Sequence, residues 1–305
     1  MKILNIGSLN IDYVYTVPHF VRPGETLSVT RMETFCGGKG LNQSIALARA
    51  GHEVYHAGCI GTDGDMLTRY LADNGVDVSL VRHCPTKSGH TIIQVDASGQ
   101  NSILLYGGAN RQNTESYIDE ALSAFSEGDI LLLQNEVNLV DSMIRKAKAC
   151  RMRVVVNPAP MHRNMLSAPL DLADMLILNE LEAAELCGER QPERQLFALR
   201  VRFPGVTLVL TLGEQGSLYQ AADGKTYRQG IYPVLVADTT AAGDTFIAYL
   251  LAGLESHLDA PESLRLAAKA AAITVSREGA SASIPRMEEV RTFLDGEVQR
   301  HETIH

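Results

Sequence analysis

Residues 238–246 read DTTAAGDTF: two alanines and a glycine lead into an acidic residue, Asp244, and then into the apolar run FIAYLLAGL. Small residues let a backbone come close to a ligand, and the stretch looks like a helix start, where free N–H groups bind anions. A carboxylate at an anion site needs a reason. A second stretch, GGKGLNQ (37–43), also opens a helix. It is either a flexible turn before a helix or a place where the backbone approaches a polar ligand, with Lys39 and Asn42 hydrogen-bonding it. Asn10 and Asp12 form another polar pair just past the first apolar run. Turn or cap chemistry is the alternative for these two.

Other chemistries find little support. HEVYH (52–56) has the letters of the H-E-x-x-H zinc signature, which works only on a helix. Here Gly51 closes a helix and the five residues read as a strand, which sets the two imidazoles about 13 Å apart along the chain. One zinc with bonds of ~2 Å does not bridge them. GGKG (37–40) lacks the upstream glycine and the following Ser/Thr of a G-x-x-x-x-G-K-[ST] phosphate loop. GSLNID follows the first strand in place of the dinucleotide fingerprint G-x-G-x-x-G, and no G-x-S-x-G elbow is present.

The elements that must position these residues follow from periodicity. KILNIGS reads as a buried strand; IDYVYTV and TLSVTRM alternate, separated by PHFVRPGE. GKGLNQSIALARAG has helical spacing, EVYHAGCIG is a strand, DGDMLTRYLADNG a helix, and HTIIQVDASGQNSILLYGGAN a hairpin across DASGQN. Then helices and strands alternate: ESYIDEALSAF, DILLLQ, LVDSMIRKAKAC, RVVVNPAP, DMLILN, ELEAAELCG, PERQLFALRVRF and VTLVLTLG. The strands are near-continuous apolar runs, as in a parallel sheet covered on both faces. A hairpin, GSLYQAADGKTYRQ, and three helices at 241–254, 261–276 and roughly 286–298 finish the chain, with HETIH as a frayed tail. The expected fold is α/β: a doubly wound, mostly parallel sheet flanked by helices, with a small β-sheet lid. Residues 1–11, 34–87 and 109–300 form the α/β domain, and 12–33 with 88–108 the lid. Asp12 and Asn42 sit at junctions of strand or helix with loop, where open α/β sheets bind ligands.

The 305 residues, 45% hydrophobic and 21% charged, allow a sizeable core. A net charge of −9 with scattered basic residues argues against nucleic acid and an anionic membrane surface as partners. Five cysteines, Cys36, Cys59, Cys84, Cys150 and Cys187, form no CxxC pair, and they read as reduced thiols. A reactive Cys36 beside the glycines is the minor alternative. No signal-peptide pattern or membrane-spanning run occurs, so a cytoplasmic location is expected.

GSLNID, PGET (23–26), GGKGLNQ, NPAP (157–160), NELE (179–182), TLGEQG (211–216) and DTTAAGDTF occur in this order. Together they resemble the PfkB-type carbohydrate kinases, from about residue 3 to residue 285, and within them the ribokinase-like members. The resemblance implies ATP-dependent phosphorylation of a sugar hydroxyl, D-ribose to D-ribose 5-phosphate in the first instance. A kinase of another pentose, deoxyribose or a nucleoside is the alternative within the class, and a catalytically silent sugar-binding regulator the alternative outside it.

By resemblance, Asp244 is the general base, and the N–H groups of Ala241, Ala242 and Gly243 form the anion hole. The sugar falls on Asn10, Asp12, Gly38, Lys39, Asn42 and Glu136. Asn179 and Glu182 support Mg²⁺ and the phosphates of ATP, and Thr211, Gly213 and Gly216 meet the nucleotide with Gly243. A monovalent cation, K⁺, matches Asp238, Thr240, Thr274, Arg277, Gly279 and Ser283. The lid implies a homodimer contact. Two places depart from the pattern: Ala268 stands where a larger residue can meet adenine, and Thr91 with its neighbours HTIIQV makes the lid strand less apolar.

Overall fold

The computed structural model describes residues 1–293 and 303–304. Its strands are β1 (Ile3–Ile6), β2 (Asn10–Thr16), β3 (Arg31–Gly37), β4 (Val54–Ile60), β5 (Asp77–His83), β6 (Gly89–Val95), β7 (Asn101–Tyr106), β8 (Ile130–Gln134), β9 (Arg153–Asn157), β10 (Met175–Asn179), β11 (Thr207–Thr211), β12 (Ser217–Gln220), β13 (Thr226–Gln229) and β14 (Thr303–Ile304). The helices are α1 (Lys39–Arg49), α2 (Asp65–Asp73), α3 (Glu115–Leu122), α4 (Val140–Ala149), α5 (Arg163–Leu166), α6 (Glu180–Cys187), α7 (Pro192–Arg202), α8 (Ala242–Glu255), α9 (Ala260–Val275) and α10 (Met287–Thr292).

The large sheet runs β14-β13-β12-β11-β10-β9-β8-β1-β4-β5. From β11 to β5 every pairing is parallel, and β12, β13 and β14 add on as antiparallel strands. Its apolar runs supply both faces. Leu131 and Leu133 of β8 join Ile118 of α3 and Ile144 of α4 on one side. Ile130 and Leu132 join Ile45 of α1 and Leu250 of α8 on the other. Each such leucine or isoleucine is fully buried and contributes ~1.5–3 kcal/mol by leaving water. Helix α8 is buried along most of its length and packs against both α1 and α9. Gly253 permits the second contact, since a Cβ there would meet Ser263 at 2.8–2.9 Å.

A separate sheet of order β3-β2-β6-β7 stands beside the large one. Strands β2 and β6 are parallel and the outer pairs antiparallel. The register places Phe35, Asp12, Thr91 and Leu105 side by side on one face.

Two expectations are corrected. The strand anticipated over TLSVTRM begins only at Arg31 and extends to Gly37. The antiparallel partner β2 spans Asn10–Thr16, so pairing is complete when Arg31 stands opposite Thr16. Strand β5, DVSLVRH, interrupts its apolar residues with Asp77, Ser79, Arg82 and His83, and is a half-exposed edge strand that apolar periodicity does not reveal. Helix α10 ends at Thr292, short of the expected 298, because Phe293 takes an extended backbone. Residues 294–298 of that expectation lie outside the described residues, as does most of the HETIH tail.

Candidate active site

The parallel strands β1, β8, β9, β10 and β11 end on one edge of the sheet, where open α/β folds bind ligands. The polar residues Ser8, Glu136, Asn157, Asn179 and Thr211 lie at or just past those ends. Helix α8 begins at the same edge. Ala241 precedes it with φ at +62°, a left-handed conformation costing roughly 1–2 kcal/mol for a non-glycine residue. No side chain caps this helix, so its first-turn N–H groups face outward as an anion site would require. Ala242 N leans on Thr239 O at 3.3 Å, a weak turn contact.

Asp244 lies in that first turn and is 7% exposed. Its Oδ2 accepts from Asn42 Nδ2 at 3.0 Å and its Oδ1 from Gln43 Nε2 at 2.8 Å. Asn42 Oδ1 is buried with no protein partner, which leaves an acceptor for a ligand hydroxyl. Lys39 stands among the carboxylates of Asp244, Glu136 and Glu182, and the nearby Asp244 charge leads in raising its pKa. A cavity of about 210 Å³ is lined by Lys39, Asn179, Glu182, Thr211, Gly243 and Asp244.

A second, wider cavity of about 640 Å³ is lined by Asn10, Tyr106, Arg111, Glu136 and His162, under the edge of the small sheet. Glu136 Oε2 accepts from Ser8 Oγ and, at 3.1 Å, from the backbone N–H of Lys39, which joins the two cavities. Asn10 Oδ1 accepts from Asn110 Nδ2 at 2.7 Å. Asp12 Oδ1 accepts from Thr91 Oγ1 at 2.6 Å, which gives the unusual lid threonine a physical role. Burial still pushes the Asp12 carboxyl up to about 6, against the Thr91 hydrogen bond and with help from Glu136. Gly38 holds φ at +98°, and a Cβ there would meet Ser8 O at 2.9 Å, so only glycine lets the start of α1 lie against the β1–β2 crossing.

On the other side Asn179 and Glu182 form a complete capping box at the start of α6. Both Glu182 oxygens accept from Asn179, at 2.9 and 3.0 Å. Burial raises the Glu182 pKa. Its carboxylate therefore keeps only its remaining lone pairs for a water shell, which suits Mg²⁺, an ion that retains several waters. Gly213 and Gly216 do not line the smaller cavity; Gly216 has a packing reason, since its Cβ would fall 2.0 Å from Gln229 O.

The expected cation residues converge in part. Asp238 Oδ1 accepts from Thr240 N and Oγ1 at 2.9 and 2.7 Å, and Oδ2 from Gly279 N at 3.2 Å, so one carboxylate ties two loops together. The side chains of Thr274, Arg277 and Ser283 turn elsewhere, to Thr245 and Ala270 O, to Glu289, and to Ala280 O. Those three can contribute only main-chain oxygens. An all-oxygen set around one carboxylate fits a hard, weakly charged cation better than a transition metal.

Two further readings close. Cys36 is half-buried, and burial with the Asp12 charge pushes its thiol up to about 11, so it is no nucleophile at neutral pH. His56 belongs to β4 and His52 precedes it, so HEVYH lacks the helix a zinc site needs. Ala268 packs with Tyr232 and Ala272 in a small apolar cluster.

The arrangement joins a buried carboxylate, an uncapped helix start and a polar pocket. A family model described as pfkB family carbohydrate kinase matches residues 1–287. The chain belongs to the pfkB family of carbohydrate kinases. Among curated proteins of this kind, a ribokinase of Haemophilus influenzae is 35% identical over 300 residues, covering 95% of this chain and 97% of the relative. A ribokinase of Staphylococcus aureus is 36% identical, covering 95% and 98%. The solved Arabidopsis thaliana ribokinase complexed with ribose and ATP superposes with a TM-score of 0.85 at 29% identity, covering 95% of this chain and 97% of that one. The fold is thus that of pfkB carbohydrate kinases, and the chain is an ATP-dependent sugar kinase by family. Within this kinase framework, periodicity and motif reading did not single out Gln43, Gln134, Asn5 or Asn157. Gln43 stood inside a motif already read for Lys39 and Asn42, Asn157 opens the NPAP motif without having been given a role, and Asn5 and Gln134 carry no local signature.

Proposed function

We propose that this kinase transfers the γ-phosphoryl group of ATP to a pentose hydroxyl, giving D-ribose 5-phosphate from D-ribose. The observation that carries the reading is the placement of Asp244: a buried carboxylate in the first turn of an uncapped helix, lining the cavity that also holds Lys39 and Glu182. Asp244 takes the proton of the attacking hydroxyl as that oxygen bonds to phosphorus and the bond to the ADP oxygen breaks. The N–H groups at 241–243 hold the charge on the transferred group. Lys39 adds a positive charge at the same place. Asn10, Asp12, Gly38, Asn42 and Glu136 hold the sugar, the carboxylates accepting from paired hydroxyls.

Asn179 and Glu182 would steady a Mg²⁺ ion and the ATP phosphates through water, and the ion would neutralise phosphate charge. The loops tied by Asp238 would hold K⁺, which orders the turn presenting 241–243. Thr211, Gly213, Gly216 and Gly243 border the nucleotide. The small sheet closes over the sugar and forms a homodimer through its apolar face, where Phe35, Ile103 and Leu105 are 45%, 53% and 47% exposed. Five free thiols suit a reducing cytoplasm.

The test is ATP consumption measured with D-ribose, 2-deoxyribose, other pentoses, hexoses and nucleosides, with and without K⁺. Ribose is expected to turn over fastest, and K⁺ to raise the rate. An inert ribose beside another active sugar would replace the substrate and keep the kinase.

A further inference from the structure

The carboxylate of Asp244 is held by two amides from consecutive residues of α1, and the second of them has no free end. Gln43 is fully buried, and its Nε2 gives its shorter hydrogen bond to Asp244 Oδ1 and a long one, 3.4 Å, to Asn157 Oδ1. Its Oε1 accepts from Gln134 Nε2 at 2.7 Å. Gln134 Nε2 also donates to Asn5 Oδ1 at 3.0 Å. Asn5 Nδ2 in turn donates to Gly40 O and to Ser44 Oγ, each at 2.8 Å. Since Ser44 Oγ accepts there, its own proton is left for His56 Nδ1 at 2.8 Å. The members of this chain of side chains come from α1, β8, β1 and β4, and none is exposed.

The direction of every donor is set by its neighbour. Because Gln134 presents an N–H to Gln43 Oε1, Gln43 must turn its own N–H toward Asp244; the flipped amide would set oxygen against oxygen at Asp244 and N–H against N–H at Gln134. Buried polar side chains are costly unless fully paired, and apolar groups of the same shape would pack this place at less cost. Gln134 Oε1 even lacks a partner. A costly polar chain that ends on the one carboxylate at the helix start points to a use there.

We propose that Gln43, oriented by Gln134, is a positioning residue for phosphoryl transfer, fixing the Asp244 carboxylate on the rigid sheet so that it meets the acceptor hydroxyl. The inference rests on Asp244 being the base. Gln43 touches neither substrate nor transferred group in this role, so its loss acts on kcat and leaves substrate affinity in place.

The experiment is a mutant cycle on the full chain, with kcat and KM measured for D-ribose and ATP in Gln43→Met, Asp244→Asn and the double variant. Gln43→Met is expected to lower kcat by ~10–10²-fold, the scale of a misplaced catalytic group, with both KM values within about 2-fold. In the double variant the Gln43→Met change is expected to cost less than about 3-fold beyond Asp244→Asn alone, because the group it positions is gone. Gln134→Met should lower kcat in the same direction by less, and it carries the test if Gln43→Met loses its cooperative thermal melt. An unchanged kcat in Gln43→Met, a shift confined to KM, or losses that multiply in the double variant overturns the proposal while the base reading stands. An Asp244→Asn variant with full turnover overturns both.

Discussion

Asp12 keeps a carboxylate where much of the water has been taken away, and its folded-state value near 6 lies above the ordinary 3.8. Between those values the folded chain binds more protons than the unfolded one, so stability is lost as pH rises through that window, and the penalty is complete above pH 6. His56 works in the opposite sense. Buried and neutral, it is pushed from 6.5 down to about 4, so the unfolded chain binds more protons there and stability is lost as pH falls from 6.5 to 4. The two slopes oppose each other between pH 4 and 6. Thermal melts across pH should therefore find Asp12→Asn more stable than the wild type at pH 7.5, with the difference gone near pH 4. The same variant should raise the sugar KM by ~10-fold or more, since a hydrogen bond to a charged group is worth about 1.5–3 kcal/mol. In the wild type the sugar KM should fall as pH rises from 5 to 7 and Asp12 ionises.

At the scale of elements the start of α1 matters most, because it brings Lys39, Asn42 and Gln43 to the site. It lies so close to the β1 end that a Cβ on Gly40 would stand 2.4 Å from Ser8 N, a backbone atom that cannot swing aside. Gly40→Ala should lower the free energy of unfolding by about 1–3 kcal/mol in urea titrations and reduce turnover, because α1 must lift away. A variant as stable and active as the wild type would mean that the helix start moves freely. This is also where the sequence was most and least legible. Glycines and a lysine beside a helix pattern declare a close approach locally, and so do the alanines before Asp244. The hydrogen bond between Gln134 and Gln43 crosses 91 residues and joins amides that look like surface residues on paper. Strand β5 was hidden for a related reason: polar side chains interrupt its apolar run because it is an edge, and its place comes from pairing with β4.

For the whole molecule, the alternation of strands and helices was enough to read a parallel sheet, since only that layering buries continuous apolar strands on both faces. The small sheet was read from two separated hairpin-like pieces, and its register puts Asp12 and Thr91 on the same face as Phe35 and Leu105. In that row a sugar-binding carboxylate and exposed apolar side chains share one surface. If two copies meet there, Ile103→Glu should convert a dimer to a monomer in light scattering and raise the sugar KM together. A dimer that persists in Ile103→Glu would place the contact elsewhere.

Phosphoryl transfer in this kinase turns on one proton leaving a hydroxyl for Asp244. Its most direct test is turnover of Asp244→Asn with D-ribose, ATP, Mg²⁺ and K⁺ at saturation, with sugar binding checked by thermal shift. The predicted result is a kcat lowered by ~10²–10⁴-fold with the sugar still raising the melting temperature. Turnover within a few-fold of the wild type would contradict it.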